Sequence, residues 1–416
     1  MDLERRIWEH MERLCRDIGP RPVGSPAHRA AGAYIESEMA GAGLAVRRQG
    51  WECPDWHCDE TRLEQNGLPL RAAANKYSPP CRVQGLPVFA ETLEQLDAAE
   101  ISGRIVVLAG ALTQGDVTPR GSVVYYPEAH RRLNDRLDAA RPAAMIAVAM
   151  RTGSVRRVFT DPHLTIPSVT VPAEVGAQLL RHRDAPVSLS IDSRSEPGSG
   201  YTVIGEIPGS AETRLVLSAH YDTVLDTPGA IDNASGVAAL LALAEILGQR
   251  PHSCSLEFAA FGAEECGWYS LDAYLAPYGL QPIPAQWGRD VGEVSPAWLP
   301  IVANINMDGI GDLLGPTNVC VIAGSPALQD RVEEIRGLRH PAIIRTAPWP
   351  ASDHHMFYSH GVPAIALNCT GIAGYINHEP EDSLEWVSAE RLASAVRFVE
   401  ELVEALHEAT PEWVRP

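Results

Sequence analysis

The sequence is poor in positive charge and has no long apolar stretch. Lysine and arginine together number 34 against 53 aspartate and glutamate residues, so the 416-residue chain has a formal net charge of −19. A charge of that sign repels phosphate backbones, and the sequence therefore predicts no nucleic-acid partner. No run of about 18 consecutive apolar residues occurs, which is the length that a membrane-spanning helix needs. We therefore expect no membrane partner.

The opening residues and the cysteines indicate a cytoplasmic protein. Residues 2–15 carry a charge every few positions. They lack the apolar stretch of about 7–15 residues that an export signal contains, so we expect the mature chain to begin here. The eight cysteines are spread along the chain without the short paired spacings of a disulfide framework or a structural zinc site. We therefore expect reduced thiols in the cytoplasm.

The order of the predicted elements indicates an α/β protein. After Tyr201, short apolar strand patterns alternate with helical patterns, ending in a long amphipathic helix at residues 388–407. The strand patterns lie at residues 215–219, 255–261, 301–305 and 362–367, and an apolar helix is predicted at 235–247. This alternation predicts a mostly parallel central sheet with helices on both faces.

An inserted segment interrupts this pattern. Two helices are predicted near the start, at residues 2–16 and 26–42. After Pro79-Pro80 the chain changes to short apolar runs with turn signals, and the polar cluster at residues 193–200 ends this stretch. We therefore predict a first domain of residues 1–73 and 196–416, and a smaller β-rich inserted domain of residues 74–195.

Polar residues follow four of the predicted apolar elements, where ligands bind in open α/β sheets. Taken singly, each has an ordinary explanation, such as a helix cap, a solvated acidic pair or a surface histidine. Taken together, two imidazoles and several carboxylates form the donor set that a divalent metal such as zinc accepts. The residues are His220, Asp222, Asp232, Glu264, Glu265, Asp308 and His378.

With these motifs the chain resembles the zinc-dependent exopeptidases, which include bacterial leucyl aminopeptidases, plasma glutamate carboxypeptidases and glutaminyl cyclases. Residues 201–403 carry all four motifs in the family's order, and residues 4–71 resemble the family more loosely through the segment 18–25. The resemblance implies the family's phosphorylase/hydrolase-like fold. The inserted segment is similar to a protease-associated (PA) domain, through residues 102–108 and 166–171.

The resemblance implies two divalent metal ions, expected to be Zn²⁺, although cobalt and manganese accept the same donors. One ion would be bound by His220 and Asp308, the other by Glu265 and His378, with Asp232 bridging both. The family pattern also implies a cis peptide bond between Asp232 and Asn233.

Further roles follow from the same resemblance. Glu264 matches the general base, and Asp222 matches the carboxylate that orients the imidazole of His220. Residues expected on the substrate side are Asp353, His354 and Tyr375. The family usually has threonine after the last histidine, whereas this chain has Glu379. His355 and His360 lie nearby, and we expect them to be structural rather than metal ligands.

The implied activity is removal of one residue from the end of a peptide or dipeptide-like substrate. An aminopeptidase must hold an ammonium group, which the carboxylates of Asp353 and Glu379 favour. A carboxypeptidase would need an arginine clamp, for which Arg336, Arg339 and Arg345 are the candidates. We therefore expect a metallo-aminopeptidase. A glutamate-carboxypeptidase-like enzyme, a glutaminyl-cyclase-like enzyme and a non-catalytic binding protein on the same fold remain alternatives.

Overall fold

The computed structural model divides into two compact units. One comprises Met1–Cys53 and Ser199–Pro416, and the other comprises Pro54–Gly198. The structure describes residues 2–122, 126–153, 155–266, 269–282, 298–349 and 351–416. The helices and strands below are those of these ranges.

The strands in chain order are β1 (Ala45–Gln65), β2 (Leu68–Leu70), β3 (Ala73–Ala74), β4 (Cys81–Gly85), β5 (Pro87–Ala90), β6 (Ile105–Leu108), β7 (Ala144–Val148), β8 (Ser168–Val171), β9 (Val187–Ile207), β10 (Arg214–His220), β11 (Ser255–Phe261), β12 (Ile301–Met307), β13 (Thr317–Ile322), β14 (Ile344–Arg345) and β15 (Ala364–Cys369). The α-helices are α1 (Leu3–Glu12), α2 (Pro26–Gly41), α3 (Leu93–Ala98), α4 (Glu128–Ala140), α5 (Ala173–Arg181), α6 (Ser235–Leu247), α7 (Tyr269–Leu275), α8 (Pro326–Arg339), α9 (His355–Ser359), α10 (Ala373–Ile376), α11 (Ala389–Leu406) and α12 (Pro411–Val414).

Two long strands carry the chain between the units. The predicted boundary between residues 73 and 74 lies within the second unit. The observed division between Cys53 and Pro54 falls inside β1, which continues without a break from residue 45 to residue 65. The polar cluster at residues 193–200, which the sequence marks as a linker, lies within β9. The extended backbone of both strands thus continues across the points where the units divide.

Four parallel strands form the centre of the sheet in the first unit, in the order β15-β12-β10-β11. Beyond β15, β13 is antiparallel, and β14 pairs parallel to β13. Residues 203–207 of β9 pair antiparallel with β11. The α/β fold class is therefore confirmed, with a sheet that is parallel in the middle and mixed towards its edges.

Helices cover both faces of this sheet. Leu256 and Phe258 of β11 belong to the apolar core that includes α6, and α1 and α11 contact α6 in turn. On the opposite face, the ring of Tyr274 in α7 packs 5.3 Å from that of Phe261 and 5.8 Å from that of Phe357 in α9. Alternate residues of one strand thus point to two covered faces, as the period of a strand requires.

By length and composition the segment Ala230–Leu247 could cross a membrane, with a mean hydropathy of 1.5, although polar residues such as Asp232 and Glu245 interrupt its apolar run. In the structure, 89% of this segment is buried. A helix that is apolar on all sides is typical of the centre of a large core, and α6 occupies that place under the sheet.

The second unit has its own sheet and core. Strands β5, β6, β7 and β8 are parallel neighbours, and β3 pairs antiparallel with β8. Leu133 and Leu137 of α4 lie in a separate apolar core. The resemblance of this unit to a PA domain stays a prediction.

Candidate metal centre

Three of the five predicted ligands, His220, Glu265 and Asp308, lie at the carboxyl ends of three neighbouring parallel strands. His220 is the last residue of β10, and Asp308 follows the last residue of β12. Glu264 and Glu265 come soon after the end of β11 at Phe261. Because β11, β10 and β12 are adjacent and parallel, their carboxyl ends meet at one edge of the sheet.

Two clusters of three donors share one carboxylate. The Nε2 atom of His220 lies 3.2 Å from Oδ1 of Asp232 and 3.2 Å from Oδ1 of Asp308. The Nε2 atom of His378 lies 3.1 Å from Oε2 of Glu265 and 3.4 Å from Oδ2 of Asp232. The two oxygens of Asp232 therefore face different histidines, and the structure brings all five predicted ligands together.

The spacing and charge of these clusters fit two divalent ions. Donors about 2.0–2.1 Å from a tetrahedral zinc ion are about 3.3–3.4 Å apart, and the separations given above lie close to this value. Three carboxylates near two imidazoles make an excess of negative charge, which is costly to bury without cations. Oε1 of Glu265 is also buried, with no hydrogen-bond partner in the described part of the chain.

Asp222 organises the turn that carries the two glutamates. Its Oδ1 accepts the backbone N–H of Glu264 and its Oδ2 that of Glu265, both at 3.0 Å. Nδ1 of His220 lies 3.3 Å from the carbonyl oxygen of Asp222 and 3.5 Å from its Oδ1. Since these oxygens only accept hydrogen bonds, Nδ1 carries the proton, and Nε2 has a lone pair for a metal.

The pKa of Asp222 follows from these contacts. Burial alone would raise the pKa of Asp222, but the hydrogen bond from His220 and those from the backbone outweigh it and lower the pKa below its ordinary value. Asp222 is therefore ionised in the folded protein.

Asn233 fixes the loop that carries the shared carboxylate. The peptide bond between Asp232 and Asn233 is cis, as the resemblance implied. Oδ1 of Asn233 accepts the backbone N–H groups of Gly236 and Gly309, and Nδ2 donates to the carbonyl oxygen of Met307 at 2.9 Å. A Cβ atom on Gly236 would lie 2.2 Å from that carbonyl oxygen, so the close approach of α6 to β12 requires glycine.

Asp382 holds the same loop from another side, a role that the sequence analysis missed. Its carboxylate accepts the backbone N–H groups of Ile231 at 2.8 Å and Asp232 at 3.0 Å. Burial raises the pKa of Asp382 to about 7. The only sequence signal was its place in the same motif as His378, four residues further along.

Glu264 lies in a strongly acidic environment. Burial, followed by the charges of Asp308 and Glu265, raises the pKa of Glu264 well above its ordinary value. Because the side chains of adjacent residues leave the backbone in different directions, Glu265 faces His378 while Glu264 remains outside both donor clusters.

Asp353 and Tyr375, two of the three residues predicted on the substrate side, differ in burial. Asp353 is buried, and neither carboxylate oxygen has a hydrogen-bond partner among the residues that the structure describes. Burial raises the pKa of Asp353 well above its ordinary value. Tyr375 is 70% exposed on the short helix α10. Glu379, in place of the family's threonine, is buried.

His354 belongs to a buried hydrogen-bond network. Its Nε2 donates to the carbonyl oxygen of Trp349 at 2.8 Å, and its Nδ1 accepts from the side-chain amide of Asn306 at 3.3 Å. Burial lowers the pKa of His354 to about 4, so the ring is neutral near pH 7. His355 and His360 are outside both donor clusters, and they contact Tyr358 and the carbonyl oxygen of Met356.

Two known proteins are similar to this chain in sequence. Over 432 aligned residues, the chain is 26% identical to aminopeptidase YwaD of Bacillus subtilis, covering 99% of this chain and 86% of that protein. It is 28% identical over 291 residues to the probable lipoprotein aminopeptidase LpqL of Mycobacterium tuberculosis, covering 65% of this chain and 54% of that protein.

A solved structure and a family profile agree with these relatives. The fold resembles that of a zinc aminopeptidase from Bacillus subtilis with a TM-score of 0.76 and 21% identity, over 100% of this chain and 99% of that one. Residues 202–403, which include every predicted ligand, match the profile of Peptidase family M28. This match, to just under half of the chain, confirms the predicted resemblance to the zinc-dependent exopeptidases.

Proposed function

We propose that this protein is a two-metal aminopeptidase, which hydrolyses the first peptide bond of small peptides. The observation that carries the proposal is the pair of donor clusters that share Asp232 beside the carboxyl group of Glu264. The similarity to YwaD and LpqL, both named as aminopeptidases, supports the reaction and its direction.

Each donor cluster would hold one zinc ion. His220, Asp232 and Asp308 would bind the first ion, and Asp232, Glu265 and His378 the second. Bound zinc ions supply a Lewis acid, which activates water and polarises a carbonyl group near neutral pH. Three protein donors for each ion leave a coordination position open, which is typical of catalytic rather than structural zinc sites.

Glu264 would transfer the proton. Its carboxylate takes a proton from the attacking water and then gives it to the amine that leaves the cleaved bond. Burial and the neighbouring carboxylates raise the pKa of Glu264, which brings it closer to the pH at which both transfers are efficient. Asp222 orients the backbone of Glu264 through the N–H that it accepts.

The charges around the site favour an ammonium over a carboxylate. Asp353 and Glu379 are acidic groups close in sequence to the histidine-bearing segments, and both are buried. The three arginines proposed for a carboxylate clamp are engaged elsewhere. Arg336 pairs with Glu333, Arg339 with Glu401, and Arg345 donates to Gln329.

The test compares one tripeptide in three forms on zinc-loaded protein of measured metal content. We expect cleavage of the free and C-terminally amidated forms, and none of the N-acetylated form. The opposite pattern would identify a carboxypeptidase. Cyclisation of a peptide with N-terminal glutamine would indicate a glutaminyl-cyclase-like enzyme. A metal-loaded protein that transforms none of these peptides would be a binding protein.

We also propose that Pro54–Gly198 is a PA-like domain and that the protein works in the cytoplasm. The five-stranded sheet with its own apolar core supports the first proposal. The second is supported by the eight cysteines, which are not joined in disulfides within the described ranges. Measuring the redox state of these thiols in intact cells tests the location, because a disulfide would indicate an oxidising compartment.

A further inference from the structure

Arg21 lies outside the segment that matches the family, yet it contacts the loops of the metal centre. The residue is completely buried. Its guanidinium donates five hydrogen bonds to backbone carbonyl oxygens. A buried cation that bonds mainly to backbone is unusual, since most are paired with a carboxylate.

Three of these bonds hold the chain that follows β10. Nε donates to the carbonyl oxygen of Tyr221 at 2.9 Å, Nη1 to that of Pro228 at 2.8 Å, and Nη2 to that of Gly229 at 3.1 Å. Nη1 also donates to the carbonyl oxygens of Leu14 and Gly19, near the N-terminus. One planar group therefore fastens both ends of the segment 221–229 to the segment 14–19.

The position of this segment determines how two metal ligands meet. His220 precedes the segment and Asp232 follows it, so the segment 221–229 makes up most of the connection between them. Gly229 has a φ of +59°, and a Cβ atom there would lie 2.4 Å from the carbonyl oxygen of Asp232. The backbone is therefore packed tightly where Arg21 holds it, three residues before the shared carboxylate.

The charge of the guanidinium also suits this place. Burial lowers the pKa of Arg21, while the negative charges of Asp382, Asp222 and Asp232 act in the opposite direction. The cation thus helps to balance these carboxylates although its hydrogen bonds go to neighbouring carbonyl oxygens.

We propose that Arg21 is a positioning residue of the metal centre, which holds the segment 221–229 so that His220 and Asp232 reach the same ion. Arginine suits this role because its rigid fork carries five N–H donors, whereas lysine has three on a flexible stem. The inference rests on the metal binding in the proposed function, but not on the peptide that is cleaved.

The test measures metal binding rather than activity. Arg21→Lys keeps the charge but leaves carbonyl oxygens without donors. We expect both ions to bind about 10- to 100-fold more weakly, because Asp232 serves both clusters. Dissociation constants come from competition between metal-free protein and a chromogenic chelator. Circular dichroism checks that the variant is folded.

A second arginine provides the control. Arg6 also lies near the N-terminus and is partly buried, where it pairs with Glu38 and Glu245 rather than with the metal loops. Arg6→Lys should lower the melting temperature without changing the metal dissociation constants. If Arg21→Lys, once folded, binds both ions as tightly as Arg6→Lys does, the proposal is wrong.

A milder variant keeps the test decisive if Arg21→Lys does not fold. Oγ1 of Thr223 accepts the backbone N–H of Arg21 at 2.9 Å, and Thr223→Val removes this acceptor at nearly constant volume. We expect metal binding about 2- to 10-fold weaker, the effect of one hydrogen bond. An unchanged dissociation constant in this variant would then overturn the proposal.

The outcome separates this inference from the proposed function. A wild-type protein that binds two ions but cleaves no peptide would contradict the aminopeptidase proposal and leave the role of Arg21 intact. A wild-type protein that is an active aminopeptidase, with metal binding insensitive to Arg21→Lys, would refute the role of Arg21 alone.

Discussion

Substituting Asp222 by asparagine changes one oxygen and one charge at the turn before both glutamates. In the wild-type protein, the two oxygens accept the N–H groups of Glu264 and Glu265, and one lies close to the ring of His220. Asparagine keeps one acceptor oxygen, and its amide group must face a second N–H donor. The turn before the glutamates and the ring of His220 then lose some of the contacts with Asp222 that orient them.

The size of the effect follows from the lost hydrogen bond. A bond from a backbone N–H to an ionised carboxylate contributes about 1.5–3 kcal/mol, which corresponds to a factor of about 10–150 in an equilibrium constant. The substitution removes at least one such bond. Because the turn carries Glu265, and His220 belongs to the other cluster, we expect the affinity for both ions to fall by this factor.

The assay combines chelator competition with urea unfolding of the metal-free protein. Asp161→Asn is a matched control, since Asp161 is also buried and accepts the backbone N–H groups of Arg120 and His163 in the second unit. Both variants should be less stable than the wild-type protein. Asp222→Asn alone should bind metal more weakly.

Two results would refute this reasoning. Metal affinity within about threefold of wild type in folded Asp222→Asn would show that the turn and the ring do not depend on the carboxylate. An equal loss of affinity in Asp161→Asn would show that any buried aspartate in this chain has the same effect.

Three further predictions concern catalysis, ligation and acid stability. Glu264→Gln should bind metal normally but lose at least 100-fold in kcat, as expected for a lost general base, and a variant with over a tenth of the wild-type rate would exclude this role. Asp232→Ala should lower the occupancy of both ions in elemental analysis, whereas His378→Ala should mainly lower one, and a tightly bound ion in Asp232→Ala would contradict bridging. Burial opposes ionisation of Glu245, but the nearby ring of His10 and the guanidinium of Arg6 lower the pKa of Glu245 from 4.5 to about 2. A carboxyl group with a lowered pKa stabilises the folded state at pH values above its ordinary pKa. The stability difference between wild type and Glu245→Gln should therefore be full above pH 5 and should vanish as the pH falls towards 2. A difference independent of pH would contradict this prediction.

The sequence predicted the central elements closely where apolar runs are sharply bounded. The strand at residues 255–261 and the helix at 235–247 were predicted to the residue, because each is mostly apolar and is bounded by polar or turn-forming residues. Strand β9 was missed because it contains Pro197 and three nearby glycines, which usually interrupt strands. Its place beside β11 compensates for those residues, and such pairing with a distant strand is not visible in local composition.

In the candidate site, too, some functional residues could be predicted from the sequence and others could not. Residue types and order identified His220, Asp232 and the other donors, because the chemistry of a metal site restricts which side chains are suitable. The roles of Asp382 and Arg21 depend on backbone N–H and carbonyl groups that approach from about 150 and 200 residues away. No local pattern predicts which peptide groups will need a partner, so these two residues emerge only from the folded chain.

The contact of α1 with α11 has a consequence for synthesis on the ribosome. These helices lie at opposite ends of the chain, and both pack on α6. The first unit therefore cannot complete its core until α11 has emerged, whereas the contiguous residues 54–198 are available much earlier. During this interval the apolar side of α1, with Ile7 and Met11, lacks one of its final partners. Nascent chains stalled before residue 389 should thus need a chaperone for their N-terminal helix, even after the second unit has folded.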